Sequence, residues 1–354
     1  MSDRLATVYI WITLLVSASV IAIMVLTGKP QQDSLQAAST EQDTEQMTRS
    51  FCVANDSLAE NSLNMFLPAG TEEKHVTIEN DYMNKILRIC ISKQTEKPVT
   101  GEWFYEHPLQ INAFAEGVKL DEDANMVTIS LPFESVFEWE TKYGKKSGQN
   151  CLYVQLTQPK EKYERIVVLD AGHGGADTGY IVSGVDETTV LEEEELALAV
   201  VTKAGSLLEK EGIHVYYTRQ ENNPSEEERV ALANETQADM LISVHADYAD
   251  DTSLYGMRTI YNETYFIPNF ASADLAYLLL EKVAASTNEK AIGFEPASGE
   301  SYMIQNAMVP VAQLNIGYLS NKQEQKLLGR EDYIDRIASG ICDAVKAGYK
   351  EIEK

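Results

Sequence analysis

The first pattern along the chain is unbroken: Thr7 to Thr27 (TVYIWITLLVSASVIAIMVLT) runs 21 residues without a charge. About 20 such residues cross a bilayer core as a helix. Arg4 before the run and Lys29 after it lean the N-terminus towards the cytoplasm. The run is read as an uncleaved, single-pass anchor; the alternative is a cleaved signal peptide, whose apolar core is normally about 7–15 residues. Either way the remainder is exported. Pro30 to Ser50 is nearly free of large apolar residues and reads as a flexible linker. From Phe51 to about Pro159 the pattern alternates in short runs. His75–Glu79, Lys85–Ser92, Met126–Phe133 and Leu152–Thr157 are predicted strands, separated by turn-rich stretches such as Asp121–Asn125. From Arg165 the rhythm becomes strand–helix alternation. Ile166–Ala171, Ile213–Thr218, Met240–His245 and Val311–Ile316 are predicted strands. Helices are predicted over Glu192–Glu211, from about Ser225 with a Ser-x-x-Glu capping box, and over Asp332–Glu353 with Ile334, Ile337, Ile341, Val345 and Tyr349 on one face.

These elements divide the chain into a cytoplasmic tip with transmembrane anchor (1–28), a linker (29–50), a β-rich accessory module (51–160) and an α/β domain (165–354). The last is expected to have three layers, with a central, mostly parallel sheet flanked by helices. The charge balance changes what the chain can bind: 29 Lys+Arg against 55 Asp+Glu give −26. Such a charge repels nucleic acid at long range, and no basic patch offsets it, so nucleic acid is excluded as a partner. Cys52, Cys90, Cys151 and Cys342 show no C-x-x-C spacing and do not suggest a structural zinc site. They could pair in an oxidising compartment or remain buried thiols. His75 and His107 in the accessory module have no evident partners and are read as structural. The sequence does not set an oligomeric state.

Three features sit where chemistry usually sits in α/β domains, at strand ends. Asp170-Ala-Gly-His173-Gly-Gly175 places a histidine between glycines where a buried strand runs out. Glu192 to Glu195 open a helix. Ser243-Val-His245-Ala-Asp247 ends a second strand in another histidine. Lone strand-end histidines are commonly structural, and glutamates at a helix start complement its dipole without any metal. Two histidines and one carboxylate from separate segments are also the usual protein ligand set of a catalytic zinc. On the residues alone both stand.

The segments Arg165–Gly179 (RIVVLDAGHGGADTG), Gly212–Arg219 (GIHVYYTR), Glu228–Asn234 (ERVALAN), Ala238–Asp247 (ADMLISVHAD) and Gly317–Asn321 (GYLSN) occur in a telling order. That order resembles the zinc-dependent N-acetylmuramoyl-L-alanine amidases, the AmiC-type cell-wall enzymes. The resemblance runs from Arg165 to the end of the chain. It implies one zinc held by His173, a glutamate and His245. The glutamate is expected five residues before a leucine; taking Leu198 as that leucine, with Gly212 setting the register, gives Glu193, with Glu192 as the fallback. The implied substrate is peptidoglycan and the implied reaction is hydrolysis of the amide between N-acetylmuramic acid and L-alanine. Zinc would polarise the carbonyl and lower the pKa of the attacking water, while a carboxylate moves the proton to the leaving amine.

The sequence departs from the pattern at two places. Where related amidases carry that carboxylate, ahead of the Gly-Tyr-Leu-Ser-Asn motif, this chain has Asn315. An Arg-Gly expected a little upstream is Ile292-Gly293. Several expectations follow. Zinc alone supports slow turnover, Glu295 or Glu300 stands in for the missing base, or the domain binds zinc and wall fragments as a receptor or regulator. A zinc peptidase acting on the stem peptide is a further class. Asp247, two residues beyond His245, is expected to be a solvated loop carboxylate.

Overall fold

The computed structural model describes residues 50–95, 97–113, 115–183, 190–220, 222–299 and 301–354. The expected anchor, its linker up to residue 49, and Glu300 lie outside the described residues. Among the described residues no helix is long and apolar enough to cross a membrane.

Residues 51–157 fold into two sheets. Strands β1 (Cys52–Ala54), β2 (Ser62–Phe66), β3 (Val76–Asp81), β4 (Ile86–Ser92), β5 (Leu109–Asn112), β6 (Lys119–Glu122), β7 (Met126–Pro132), β8 (Glu138–Lys146) and β9 (Gln149–Thr157) are ordered β1-β5-β2-β9-β8 and β3-β4-β7-β6. Apolar residues from both sheets, including Leu63, Met65, Ile89, Ile129 and Val154, share one core with Phe104 of the short helix α1 (Glu102–Glu106). The four predicted strands are present. β8 was not predicted, because its sequence, EWETKYGKK, is mostly polar and exposed and only Trp139 and Tyr143 pack on the core. The turn expected over Asp121–Asn125 is shorter than expected: β6 continues through Glu122, and the Asp123 carboxylate accepts the N–H groups of Asn125 and Met126 to make the reversal. The four cysteines are free thiols, two of them, Cys90 and Cys342, buried.

Beyond helix α2 (Pro159–Lys162), the second domain has a central six-stranded sheet. Its strands are β10 (Ile166–Ala171), β13 (His214–Tyr217), β14 (Met240–Asp247), β15 (Met257–Tyr261), β18 (Ala291–Pro296) and β19 (Val311–Tyr318), in the order β13-β10-β14-β19-β15-β18. Every pairing is parallel except β15 with β19. Two small hairpins, β11–β12 (Ile181–Ser183, Val190–Glu192) and β16–β17 (Phe266–Ile267, Phe270–Ala271), stand apart from it. The helices are α3 (Glu193–Lys210), α4 (Glu226–Glu235), α5 (Ser272–Thr287), α6 (Tyr302–Asn306), α7 (Lys322–Leu328) and α8 (Glu331–Ile352). None of the predicted elements covers α5. The capping box at Ser225 is formed: its hydroxyl accepts the Glu228 N–H at 3.3 Å and its own N–H donates to the Glu228 carboxylate at 2.8 Å.

Side chains alternate across a strand, so each central strand serves two layers. Val167, Leu169, Ile242, Val244, Ala312 and Leu314 face the core shared with α3, α5 and α8. Ile166, Val168, Leu241 and Val311 face the opposite layer, which contains α4 and α6. Further along, that second face turns polar: Asp170, Ser243, His245, Asp247, Gln313 and Asn315 occupy its successive positions. The polar rows meet at the carboxyl ends of the strands.

Candidate metal centre

The loop after β10 must turn sharply to present His173. That residue takes a left-handed backbone with φ of +60°, which a non-glycine residue holds only when its surroundings fix it. Two buried arginines do so. Arg219 donates to the carbonyls of Ala171 and Gly172, each at 2.9 Å, and Arg229 to those of Ala171 and His173, each at 2.8 Å. Arg229 also pairs with Asp170, which accepts hydrogen bonds from Thr218 and Ser243. Burial alone would push the Asp170 carboxyl up, but the Arg229 charge and these hydrogen bonds hold it below the usual range.

Close approach explains two glycines. A Cβ on Gly172 would lie 2.2 Å from the His245 ring. One on Gly179, itself at φ +61°, would lie 2.6 Å from Glu193 Oε2 and 2.8 Å from the His173 ring. His245 comes from β14, and Glu193 is the first residue of α3. His173 Nε2 and His245 Nδ1 each lie 3.1 Å from Glu193 Oε1. The three ligand atoms all fall within 4.8 Å of one another. Glu192, the fallback, is the residue before α3 and is not in this group.

The donor set fits a zinc ion. Glu193 is 1% exposed, and among the described residues no lysine or arginine pairs with it. Its charge is met by two imidazoles and by the N–H groups of Ala246 and Tyr180, at 3.0 and 3.2 Å. Burial pushes its carboxyl up, yet the hydrogen bonds from His173 and His245 outweigh this and hold it far below the ordinary value. The His173 imidazole is pushed up to about 9, first by its hydrogen bond to Glu193, against the effect of burial, with Asp177 adding to the rise. Asp177 Oδ2 sits 2.9 Å from His173 Nδ1. A carboxylate on the second ring nitrogen is the usual support of a metal-ligating histidine, fixing its tautomer and orientation. Sequence reasoning missed Asp177; the His-x-x-x-Asp spacing in the same motif was the available signal.

Asn315 is where the sequence placed it, on β19 directly beside His245. It is 2% exposed and bonded at both amide atoms: its Nδ2 donates to Asp247 Oδ1 at 2.7 Å, and its Oδ1 accepts from Gln313 at 2.8 Å. Asp247 is not the solvated loop carboxylate expected. β14 continues through it, the two-residue period puts it on the His245 face, and it is 8% exposed. Arg258 of β15 holds it with two hydrogen bonds of 2.7 Å. Gly293 pairs with Arg258 in the sheet, so the guanidinium lacking at Ile292 is present on the neighbouring strand. Glu295 is exposed and lies 3.6 Å from Arg258 Nη1, two strands beyond Asn315 in the sheet order.

A cavity of about 570 Å³ opens beside His173 and His245. Arg229, Arg258, Glu226, Glu295 and Gln313 line it further out.

Two histidines from strand ends and the glutamate that opens a helix converge, on a mixed α/β sheet and beside an open cavity, as a donor set able to hold a metal ion. The family model for N-acetylmuramoyl-L-alanine amidase matches residues 167–347, and the chain belongs to that family of enzymes. It is 28% identical over 198 residues to the uncharacterized protein YqiI of Bacillus subtilis, covering 56% of this chain and 90% of that one. It is 29% identical over 185 residues to the amidase LytC of the same organism, covering 52% of this chain but only 35% of LytC. A solved structure, the catalytic domain of the amidase CwlV from Bacillus (Paenibacillus) polymyxa, matches with 28% identity and a TM-score of 0.47. The match covers 53% of this chain and 99% of that one.

Proposed function

We propose that the protein hydrolyses the amide between N-acetylmuramic acid and L-alanine in peptidoglycan, with zinc held by His173, Glu193 and His245. The convergence of those three side chains within the matched region carries this reading. Zinc there would supply Lewis-acid polarisation of the carbonyl and a more acidic attacking water. The chain's own residues do the rest. Asp177 orients the His173 ring, and Arg219 and Arg229 pin the loop beneath it. Asn315 cannot accept a proton near neutral pH, and losing a positioned base costs on the order of 10²–10⁴-fold in rate. Glu295, two strands away and next to Arg258, is placed to meet substrate charge rather than to serve as that base. The expected enzyme is therefore slow.

A second reading, a zinc- and wall-binding relative that does not cut, is favoured by one observation. The Asn315 amide is 2% exposed, hydrogen-bonded to Asp247 and Gln313, and is not among the residues that line the cavity. The uncharged run Thr7–Thr27 supports placing either activity outside the cell, tethered to the membrane. One experiment separates the two readings. The full-length chain is incubated with peptidoglycan and zinc, and freed L-alanine amino termini are measured beside Asn315→Glu and His173→Ala variants. Slow release by the wild type, abolished in His173→Ala, supports the hydrolase. No release by the wild type with release by Asn315→Glu makes the chain a binding protein. New amines at another residue of the stem would make it a peptidase.

A further inference from the structure

The lining of the cavity does not include Tyr180 or Tyr248, whose rings stack at 4.8 Å between centroids and 16° between planes. Both remain about half exposed, at 48% and 45%. Neither ring joins an apolar core, and among the described residues neither hydroxyl has a hydrogen-bond partner. Packing into a core therefore does not account for the pair. Its attachment to the centre is direct. The Tyr180 N–H donates to Glu193 Oε2 and its carbonyl accepts the Glu193 N–H at 3.0 Å. Tyr248 is the residue after Asp247, three beyond His245.

We propose that the Tyr180–Tyr248 pair is a sugar-binding platform, the glycan-side subsite of the centre. The inference rests on the amide-hydrolase reading above, and it gives the substrate a direction across the metal. The scissile amide joins two chemically different halves. The saccharide is nearly neutral, and its pyranose rings carry flat C–H faces edged by hydroxyls. Such a face packs on an exposed aromatic ring, with the phenol as a polar handle at the edge. The stem peptide carries amines and carboxylates. The cavity offers both signs of charge to that half, through Arg258, Glu226 and Glu295. The stem therefore runs into the cavity and the glycan lies across the tyrosines.

Equilibrium binding to the zinc-loaded full-length chain tests this with three ligands: a disaccharide–stem muropeptide, the same stem peptide without sugar, and the disaccharide without peptide. Tyr180→Ala and Tyr248→Ala are expected to weaken both sugar-bearing ligands by roughly three- to tenfold, the scale of one lost ring contact. Affinity for the bare stem peptide and zinc content should stay at wild-type values. Tyr248→Trp, which keeps a broad face, should bind the disaccharide at least as well as wild type, so a folding defect in the alanine variants does not decide the matter. Unchanged sugar binding in the alanine variants, an equal loss for the bare peptide, or loss of sugar binding in a zinc-loaded Tyr248→Trp protein overturns the subsite while leaving the hydrolase reading intact. A wild type that binds neither sugar-bearing ligand overturns both.

Discussion

Asp170 shows how much of the centre depends on residues that never meet a substrate. It is 1% exposed, and its ion-pair partner, Arg229, is 4% exposed. Asp170→Asn would leave that guanidinium buried without a counter-charge, and breaking such a pair typically costs about 3–5 kcal/mol. Chemical denaturation should show a loss of that size; a change within about 0.5 kcal/mol, ordinary for surface sites, would mean the pair is dispensable. Asp177 acts more locally. Removing the outer partner of a ligating histidine lowers metal affinity by about 10–100-fold, so Asp177→Ala should weaken zinc binding by that factor while the fold melts unchanged. His173→Ala and His245→Ala should each lose stoichiometric zinc on metal analysis, and retention in both would refute the ligand set. The histidines were legible because glycines and strand ends flag them, whereas Glu193 was singled out of the run Glu192–Glu195 only by the register that the family resemblance implied. Asp247 was not. The run Ala-Asp-Tyr-Ala-Asp-Asp (246–251) is polar enough to suggest a loop, and only the continuing ladder between β14 and β19 reveals that Asp247 shares the His245 face.

At the scale of elements, α7 explains why a Ser-Asn pair closes the Gly-Tyr-Leu-Ser-Asn segment. Asn321 is the N-cap, accepting the N–H groups of Gln323 and Glu324 at 2.9 and 3.2 Å. Glu324, 3% exposed, turns back to accept the N–H groups of Gly256 and Tyr318 at 3.0 and 2.6 Å. Burial pushes its carboxyl up to about 7, and the two N–H donors only partly offset this. Between the ordinary glutamate value and about 7 the folded state therefore holds a proton that the unfolded chain has released. Stability from this group consequently falls as pH rises through that window. Glu324→Gln should flatten that slope in denaturation curves taken at several pH values. It should also lower stability at the acidic end, since the two N–H groups are accepted on different oxygens and glutamine replaces one of these with an NH2 donor. An unchanged slope would show that Glu324 does not titrate there. Elements with strong periodicity, such as α8, whose five predicted apolar positions are all buried, could be read directly. β8 and β6 could not, because these edge strands are mostly exposed and polar, with only Trp139, Tyr143 and Leu120 packing on the core, and so look like loops.

For the whole molecule, the sequence suggested two modules in succession, and the structure joins them through a shared interior. Val136 of the first module packs in the same apolar cluster as Ile166, Tyr216 and Val230 of the second. Glu138, 5% exposed, accepts a 2.6 Å hydrogen bond from the buried Tyr216 hydroxyl and one of 3.2 Å from Tyr163, with Lys162 at 3.4 Å. Burial, together with Glu138, pushes the Tyr163 phenol up to about 12. Tyr82 adds hydrogen bonds to both the carbonyl and the N–H of Tyr217, each at 3.1 Å. Such a junction is invisible in a single sequence, since it is made of isolated residues far apart in the chain and shows no periodicity. It predicts joint unfolding. Trp103 and Trp139 lie in the first module, Trp11 lies in the N-terminal run ahead of it and the second module has no tryptophan, so in a Trp11→Phe background indole fluorescence reports the first module while zinc release reports the second. In a denaturant titration the two signals should coincide. Glu138→Ala, which orphans the Tyr216 hydroxyl, should shift both together by about 1–3 kcal/mol, the cost of a buried unsatisfied group. Two separated transitions in the Trp11→Phe chain, or a shift confined to fluorescence, would show that the modules fold independently and that the β-rich unit does not brace the metal-bearing sheet.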